Sequence, residues 1–229
     1  MSSPMPSNMV FERDAQKRRA PQLYVGPHTS DRRKPRQMDS ANAYEAHAYE
    51  YLRGRDTSPI GTQVVDQWSR TLRKGARVIE LACGGGYPIT RVLNAAGLQL
   101  WAVESSPTFV AEFRSRFPAI TVQCARVQES DFFGRKYEGA IAIGLIFLLS
   151  EQEQANLISR VSEILEPGGR FLFMAPIQIG TWNDMNTGLE CTSLGQERYV
   201  ELLMNSGLHV VATHRDVGEN NYYDAEKIR

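Results

Sequence analysis

Val78-Ile-Glu80-Leu-Ala82-Cys83-Gly84-Gly-Gly86 is an apolar run that ends in an acid and then breaks into glycines. Glycines let the backbone take positive φ and let a ligand approach the main chain where a Cβ would block it. Pro88 suits the first turn of a helix. Ile89, Val92 and Leu93 supply that helix with an apolar face, and Gly97 stops it. Leu98–Val103 reads as a second strand, followed by Glu104, twenty residues after Gly84. An acid at that distance reaches ribose hydroxyls in dinucleotide folds, so the strand, glycine turn, helix and strand read together as a nucleotide-cofactor site.

The spacing excludes the common NAD fingerprint. A G-x-G-x-x-G run from Gly84 requires glycine where Ile89 stands, and one starting at Ala82 fails at Tyr87. This disfavours a nicotinamide oxidoreductase. The run instead resembles the first motif of class I S-adenosylmethionine-dependent methyltransferases, an acid followed by G-x-G-x-G, here Glu80 with Ala82, Gly84 and Gly86. Ala82 departs from the usual first glycine by one methyl group. The resemblance implies that Glu80 orders the turn or meets the methionine amine through water, and that Gly84 and Gly86 let the methionine part lie against the backbone. It also implies that Glu104, with Ser105 beside it, accepts both ribose hydroxyls. Cys83 lies in the same turn, where a buried, inert thiol is expected.

The downstream pattern continues the alternation. Ser106 is an N-cap and Pro107 a first-turn residue for a helix with Phe109, Val110, Phe113 and Phe117 as its buried stripe. Ile120–Cys124 reads as a third strand. In the resembling family the loop after it contacts adenine, but Arg126 and Val127 stand where many members have an Asp, so backbone groups near Val127 and Gln128 take that part. Gly139–Ile143 is the fourth strand, and its end, Gly144-Leu145-Ile146-Phe147, faces the cofactor in such folds. Ser150 and Glu153 form a capping box for a helix reaching Leu165, Pro167-Gly168-Gly169 ends it, and Arg170–Ala175 is the fifth strand. The implied fold is α/β and Rossmann-like: a doubly wound, mostly parallel seven-stranded sheet with an antiparallel last strand and helices on both faces.

The acceptor side is read from three segments. A helix over Ala41–Leu52 puts Tyr44, His47, Ala48 and Tyr51 on one face. Its Tyr44-Glu45-x-x-Ala48-x-x-Tyr51 pattern resembles a family segment that covers cofactor and substrate, although an amphipathic helix packing its tyrosines reads equally well. Ile60–Leu72 is a further amphipathic helix. Pro176–Leu194 is a long loop containing Trp182-Asn183-Asp184, and Ser193 and Gln196 cap the helix after it. Leu208–His214 is the sixth strand. Gly218–Asp224 is polar and aromatic, and Tyr222 onward is the last strand. Tyr44, Tyr51, Trp182, Asn183, Asn220 and Tyr222 are therefore substrate-site candidates. His47, Asp184, Glu219 and Tyr222 are candidates for removing a proton from a hydroxyl acceptor.

Composition bounds the rest. The 229 residues balance 26 basic against 26 acidic side chains, but residues 1–36 alone hold Arg13, Lys17, Arg18, Arg19, Arg32, Arg33, Lys34 and Arg36. With five prolines this stretch reads as a basic, flexible arm over 1–40 preceding a methyltransferase domain at 41–229, of which 41–75 would be cap helices. Cys83, Cys124 and Cys191 are too dispersed for a disulfide framework or zinc site, and no histidine pair has metal-ligand spacing. Nothing resembles a membrane span or a secretory signal, which predicts a cytoplasmic protein. The expected activity is transfer of a methyl group from S-adenosyl-L-methionine to N or O of a small molecule, leaving S-adenosyl-L-homocysteine, by a monomer or homodimer without a metal. A nucleic-acid-directed enzyme using the arm and a non-catalytic donor-binding protein are the other classes. Against the former, the chain lacks an Asn/Asp-Pro-Pro-Tyr/Phe motif and a Pro-Cys pair.

Overall fold

The structure, a computed structural model, describes residues 40–228. The basic segment lies outside the described residues. Seven strands form one sheet: β1 (Arg77–Leu81), β2 (Gln99–Glu104), β3 (Thr121–Cys124), β4 (Tyr137–Ala142), β5 (Leu165–Met174), β8 (Leu208–Arg215) and β9 (Asn221–Lys227). Their order is β3-β2-β1-β4-β5-β9-β8. The first five pair in parallel, and β9 runs antiparallel to both β5 and β8. This is the doubly wound, Rossmann-like architecture expected, with the strand order reversing between β1 and β4.

Strand alternation assigns the two faces. Ile79, Leu81, Val103, Phe171 and Phe173 pack with α6 (Glu151–Ile164) and α7 (Gln196–Asn205). Val78, Leu100, Ile141 and Leu172 pack with α3 (Thr62–Ser69) and α4 (Ile89–Ala95). α5 (Pro107–Arg116) places Val110 and Phe113 on Ala102 and Val122. Ser106 caps α5 by accepting from Phe109 N, and Ser150 with Glu153 forms the reciprocal capping box of α6.

Several local expectations differ. The helix over Ala41–Leu52 is two helices, α1 (Ser40–Ala46) and α2 (Ala48–Arg55), joined at exposed His47 with φ −110° and ψ 14°. His47 thus leaves the face shared by Tyr44, Ala48 and Tyr51, which pack on Phe109. Pro88 precedes α4 as its N-cap residue rather than entering its first turn. The segment Pro176–Leu194 is no irregular loop: β6 (Ile179–Asn183) and β7 (Glu190–Leu194) pair as an antiparallel hairpin. Thr181, Trp182, Thr192 and Cys191 supply the strand-forming side chains that the polar composition obscured. Ser193 therefore lies in β7 and caps nothing; its hydroxyl donates to Pro176 O, while Gly195, at φ +81°, precedes α7 without a side-chain cap.

Candidate active site

The glycine turn sits at the carboxyl end of β1, beside the β1–β4 reversal where ligands of open α/β sheets bind. Its backbone has the left-handed conformation that glycine adopts freely: φ is +56° at Gly84 and +88° at Gly86. Ala82 takes φ +56° as well, a conformation costing an L-residue about 1–2 kcal/mol. Its N–H is tied to Val103 O at 2.8 Å.

The two motif glycines have different reasons to be glycine. A Cβ on Gly86 would fall 2.4 Å from Phe117, so this residue makes room for α5 aromatics rather than for a ligand. At Gly84 a Cβ would meet only the Tyr51 ring, at 3.8 Å, and at Gly144 nothing within 4 Å. Open main chain at Gly84 is a cradle that a side chain would fill. This fits a ligand lying on the turn.

Glu104 binds the turn together. Its Oε2 accepts from Gly84 N at 2.9 Å, and its Oε1 from Ser105 N at 2.7 Å and Ser106 N at 2.9 Å. Burial pushes this carboxyl up, against the three backbone donors that favour its charged form. Ser105 Oγ also donates to Oε1, at 3.3 Å. Oε2 accepts from one donor among the described residues and therefore keeps acceptor capacity for a hydroxyl. Below the turn, Glu80 is buried and accepts from Thr90 Oγ1 at 2.6 Å. Burial raises its pKa to about 8, so it holds its proton at neutral pH. The Cys83 thiol is buried and pushed up by the same desolvation, which leaves it inert as a nucleophile.

Of the adenine-side candidates, Val127 and Leu145 are buried and apolar, whereas Gln128 is exposed. Val127 and Leu145 belong to one buried cluster, the Val127 carbonyl accepts from Arg160 Nη1 at 2.5 Å, and the Gln128 amide donates to Glu153 at 3.1 Å.

On the acceptor side, the structure joins two distant candidates. Tyr44 Oη donates to Asp184 Oδ2 at 3.1 Å, linking α1 to the β6–β7 hairpin. Asp184 Oδ1 also accepts from Asn186 N, Thr187 N and Thr187 Oγ1. Such an occupied carboxylate shapes the hairpin turn and is poorly placed to take a proton. Burial and the neighbouring Tyr51 and Asp184 keep the Tyr44 phenol neutral. Tyr51 packs between Tyr44 and Phe109, each with ring centroids 5.3 Å away, and Trp182 packs on Phe147 at 5.4 Å. Asn183 is exposed.

The C-terminal candidates gather elsewhere, around a residue that sequence reading missed. Asp216 is buried; its carboxylate accepts from Gly61 N at 3.0 Å, Tyr222 Oη at 2.6 Å, Asn220 N at 3.0 Å and the Asn220 amide. Asn220 and Tyr222 are thus committed to holding the β8–β9 turn against the start of α3, and exposed Glu219, at φ +61°, forms the turn itself. Asp216-x-Gly218 was the available signal, since Asp accepts from backbone N–H groups two residues on in tight turns. Glu45 was also missed. Glu45 accepts from Ser106 Oγ, Thr108 N and Thr108 Oγ1, fastening α1 to the start of α5. Among the described residues no cluster of His, Cys, Asp and Glu could hold a metal ion, and no helix is long and apolar enough to cross a membrane.

Residues 78–169 match the family described as "Methyltransferase domain". The 1,6-didemethyltoxoflavin-N1-methyltransferase of Burkholderia thailandensis, solved with 1,6-didemethyltoxoflavin and S-adenosylhomocysteine, superposes with TM-score 0.66 at 19% identity, over 90% of this chain and 100% of that one. The glycopeptide N-methyltransferase MtfA, solved with S-adenosyl-L-methionine, gives 0.62 at 20% identity over 76% and 96%. Magnesium protoporphyrin IX methyltransferase from Synechocystis PCC 6803 gives 0.65 at 13% identity over 85% and 100%. These likenesses establish the fold. A curated tRNA U34 carboxymethyltransferase of Idiomarina loihiensis is 20% identical over 107 residues, 43% of this chain and 32% of its own length, so the match spans about a third of that relative.

Proposed function

We propose that this protein transfers a methyl group from S-adenosyl-L-methionine to a nitrogen or oxygen of a small-molecule acceptor; the match of residues 78–169 to the methyltransferase-domain family and the Rossmann-like sheet order support this reading. The carrying observation is the open main chain at Gly84 beside the Glu104 carboxylate, at the sheet's switch point. When bound, the donor supplies a methyl carbon made electrophilic by its sulfonium, and S-adenosyl-L-homocysteine remains.

The chain's own residues bind, orient and exclude water. Gly84 keeps the turn clear for the donor's methionine part, Glu104 accepts a ribose hydroxyl on Oε2, and Val127 with Leu145 supplies the apolar adenine wall. Accepting the second hydroxyl on Oε1 requires Ser105 Oγ to turn away. Tyr44, Tyr51 and Trp182 enclose the acceptor under the α1 helix and the hairpin. A small acceptor is supported by the neighbours solved with or named for small molecules. We place the catalytic domain at 41–229, with 41–75 as its cap, in the cytoplasm.

Calorimetry with S-adenosylhomocysteine and NADH tests the reading. The chain should bind the former and not the latter, and Gly84→Ala should weaken binding at least tenfold while the protein stays folded. Wild-type protein that binds NADH alone, or neither ligand, overturns it. The basic segment and the tRNA-modifying relative favour a second reading, a nucleic-acid acceptor. Salt-sensitive RNA binding that is lost on removing residues 1–36 would favour it over a small molecule.

A further inference from the structure

Arg116, the last residue of α5, has only 13% of its side chain exposed and joins three parts of the molecule. Its Nη1 and Nη2 donate to the two carboxylate oxygens of Asp56, the residue that closes α2, each at 2.7 Å. Its Nε donates to Glu112, one turn back on α5, at 2.7 Å. Nη1 also donates to Gly85 O at 3.3 Å, and the guanidinium lies 4.5 Å from the centre of the Tyr87 ring. A planar fork serves a carboxylate, a carbonyl and a ring face together, which the compact ammonium of a lysine does not.

These partners are the outer side of the glycine turn and the helix packed on it. A Cβ on Gly85 would fall 2.3 Å from Leu52 of α2 and 3.4 Å from Arg116 Nη1, so the turn is bare there to receive both. α2 lies along α5: Ala48 and Leu52 pack on Phe109 near its start, and Asp56 meets Arg116 at its end. On the inner side of the turn, the Tyr51 ring of α2 stands 3.8 Å from the Cβ position of Gly84. The apolar contact at Phe109 is non-directional, whereas the fork at Arg116 fixes distance and orientation.

We propose that Arg116 is a positioning residue of the donor site: it ties the glycine turn and α2 into one rigid unit, so that the open main chain of Gly84 and the Tyr51 ring stand in place before the donor arrives. The inference rests on the function proposed above, and Arg116 acts through its partners without touching the donor. A site ordered in advance binds more tightly, because association does not have to order it.

Calorimetry with S-adenosylhomocysteine, with amide exchange and urea unfolding of the same proteins, provides the test. Arg116→Met keeps the stem and removes the fork. It should weaken binding about tenfold and speed exchange across residues 48–56 by a similar factor, while the sheet amides stay protected. Arg116→Lys keeps the charge without the fork and should lie closer to Arg116→Met than to wild type. Asp56→Asn leaves Arg116 its contacts with Glu112, Gly85 and Tyr87 and should reproduce most of the loss, so that the double variant binds no more weakly than Arg116→Met. Unchanged affinity in folded Arg116→Met, whatever its urea stability, reduces the residue to scaffolding; losses that add in the double variant mean that the two residues act separately. Either result overturns the inference. Should Arg116→Met fail to fold, Asp56→Asn decides: weakened binding with faster exchange in α2 supports the inference, and unchanged binding overturns it. Wild-type protein that binds no S-adenosylhomocysteine overturns the donor reading, and this inference with it, a failure that the wild-type titration alone reveals.

Discussion

Glu80 carries a measurable pH signature. In an unfolded chain its carboxyl titrates near the usual 4.5, but burial, only partly opposed by the Thr90 hydrogen bond and the Arg55 charge, lifts it to about 8 in the fold. The native state thus holds a proton that the unfolded chain releases, and stability falls as pH rises through that window. The loss by the alkaline end is on the order of a few kcal/mol. Glu80→Gln keeps an acceptor for Thr90 and removes the titration. Urea unfolding should find the variant more stable than wild type at about pH 8.5 and close to it at about pH 4; parallel pH profiles would refute the assignment. At this scale the sequence was legible where chemistry is local. The acid, the turn and the second-strand acid were readable because spacing along βαβ determines where they meet. The separate duties of Gly84 and Gly86 were not, because Phe117 approaches Gly86 only through tertiary packing.

The hairpin of β6 and β7 was the least legible element. Its strands alternate weakly and β6 exposes Ile179, so periodicity gave no strand signal. It is stabilised by distant groups: buried Gln154 of α6 donates to Thr192 O at 3.0 Å and accepts from Tyr199 Oη at 2.9 Å, while Asp184 joins its turn to Tyr44. Asp184→Ala removes the acceptor for three donors within that turn and for the Tyr44 hydroxyl. Amide exchange across residues 179–194 should accelerate about tenfold or more, from a local loss near 2 kcal/mol, while the seven-stranded sheet keeps its protection. Unchanged exchange in the hairpin would show that Gln154 and the other contacts of β7 hold it without Asp184. The helices around the sheet were easier, because Ser106, Ser150 and Glu153 announce their starts locally; the α1–α2 break at His47 had no such marker.

Across the whole molecule, β9 is the strand that completes the sheet. Asp224 on it is buried and meets Arg170 of β5 through two hydrogen bonds, with His214 of β8 at 3.7 Å, so one carboxylate serves three strands. Asp224→Ala would strand the Arg170 charge with only Glu226 at 3.9 Å, costing about 3 kcal/mol in thermal or urea unfolding. A loss below about 1 kcal/mol would mean that Glu226 takes over. The strand order could be anticipated from resemblance, but this ion pair could not, since Arg170 and Asp224 are 54 positions apart. That separation also has a temporal meaning. β9 is the last strand of the sheet to leave the ribosome, yet it fills the gap between β5 and β8. Until it emerges, the nascent chain carries two unpaired edges, including apolar β5, that invite pairing with other chains. The sheet therefore closes only after β9 is synthesised, and the edges of β5 and β8 stay open to mispairing until then.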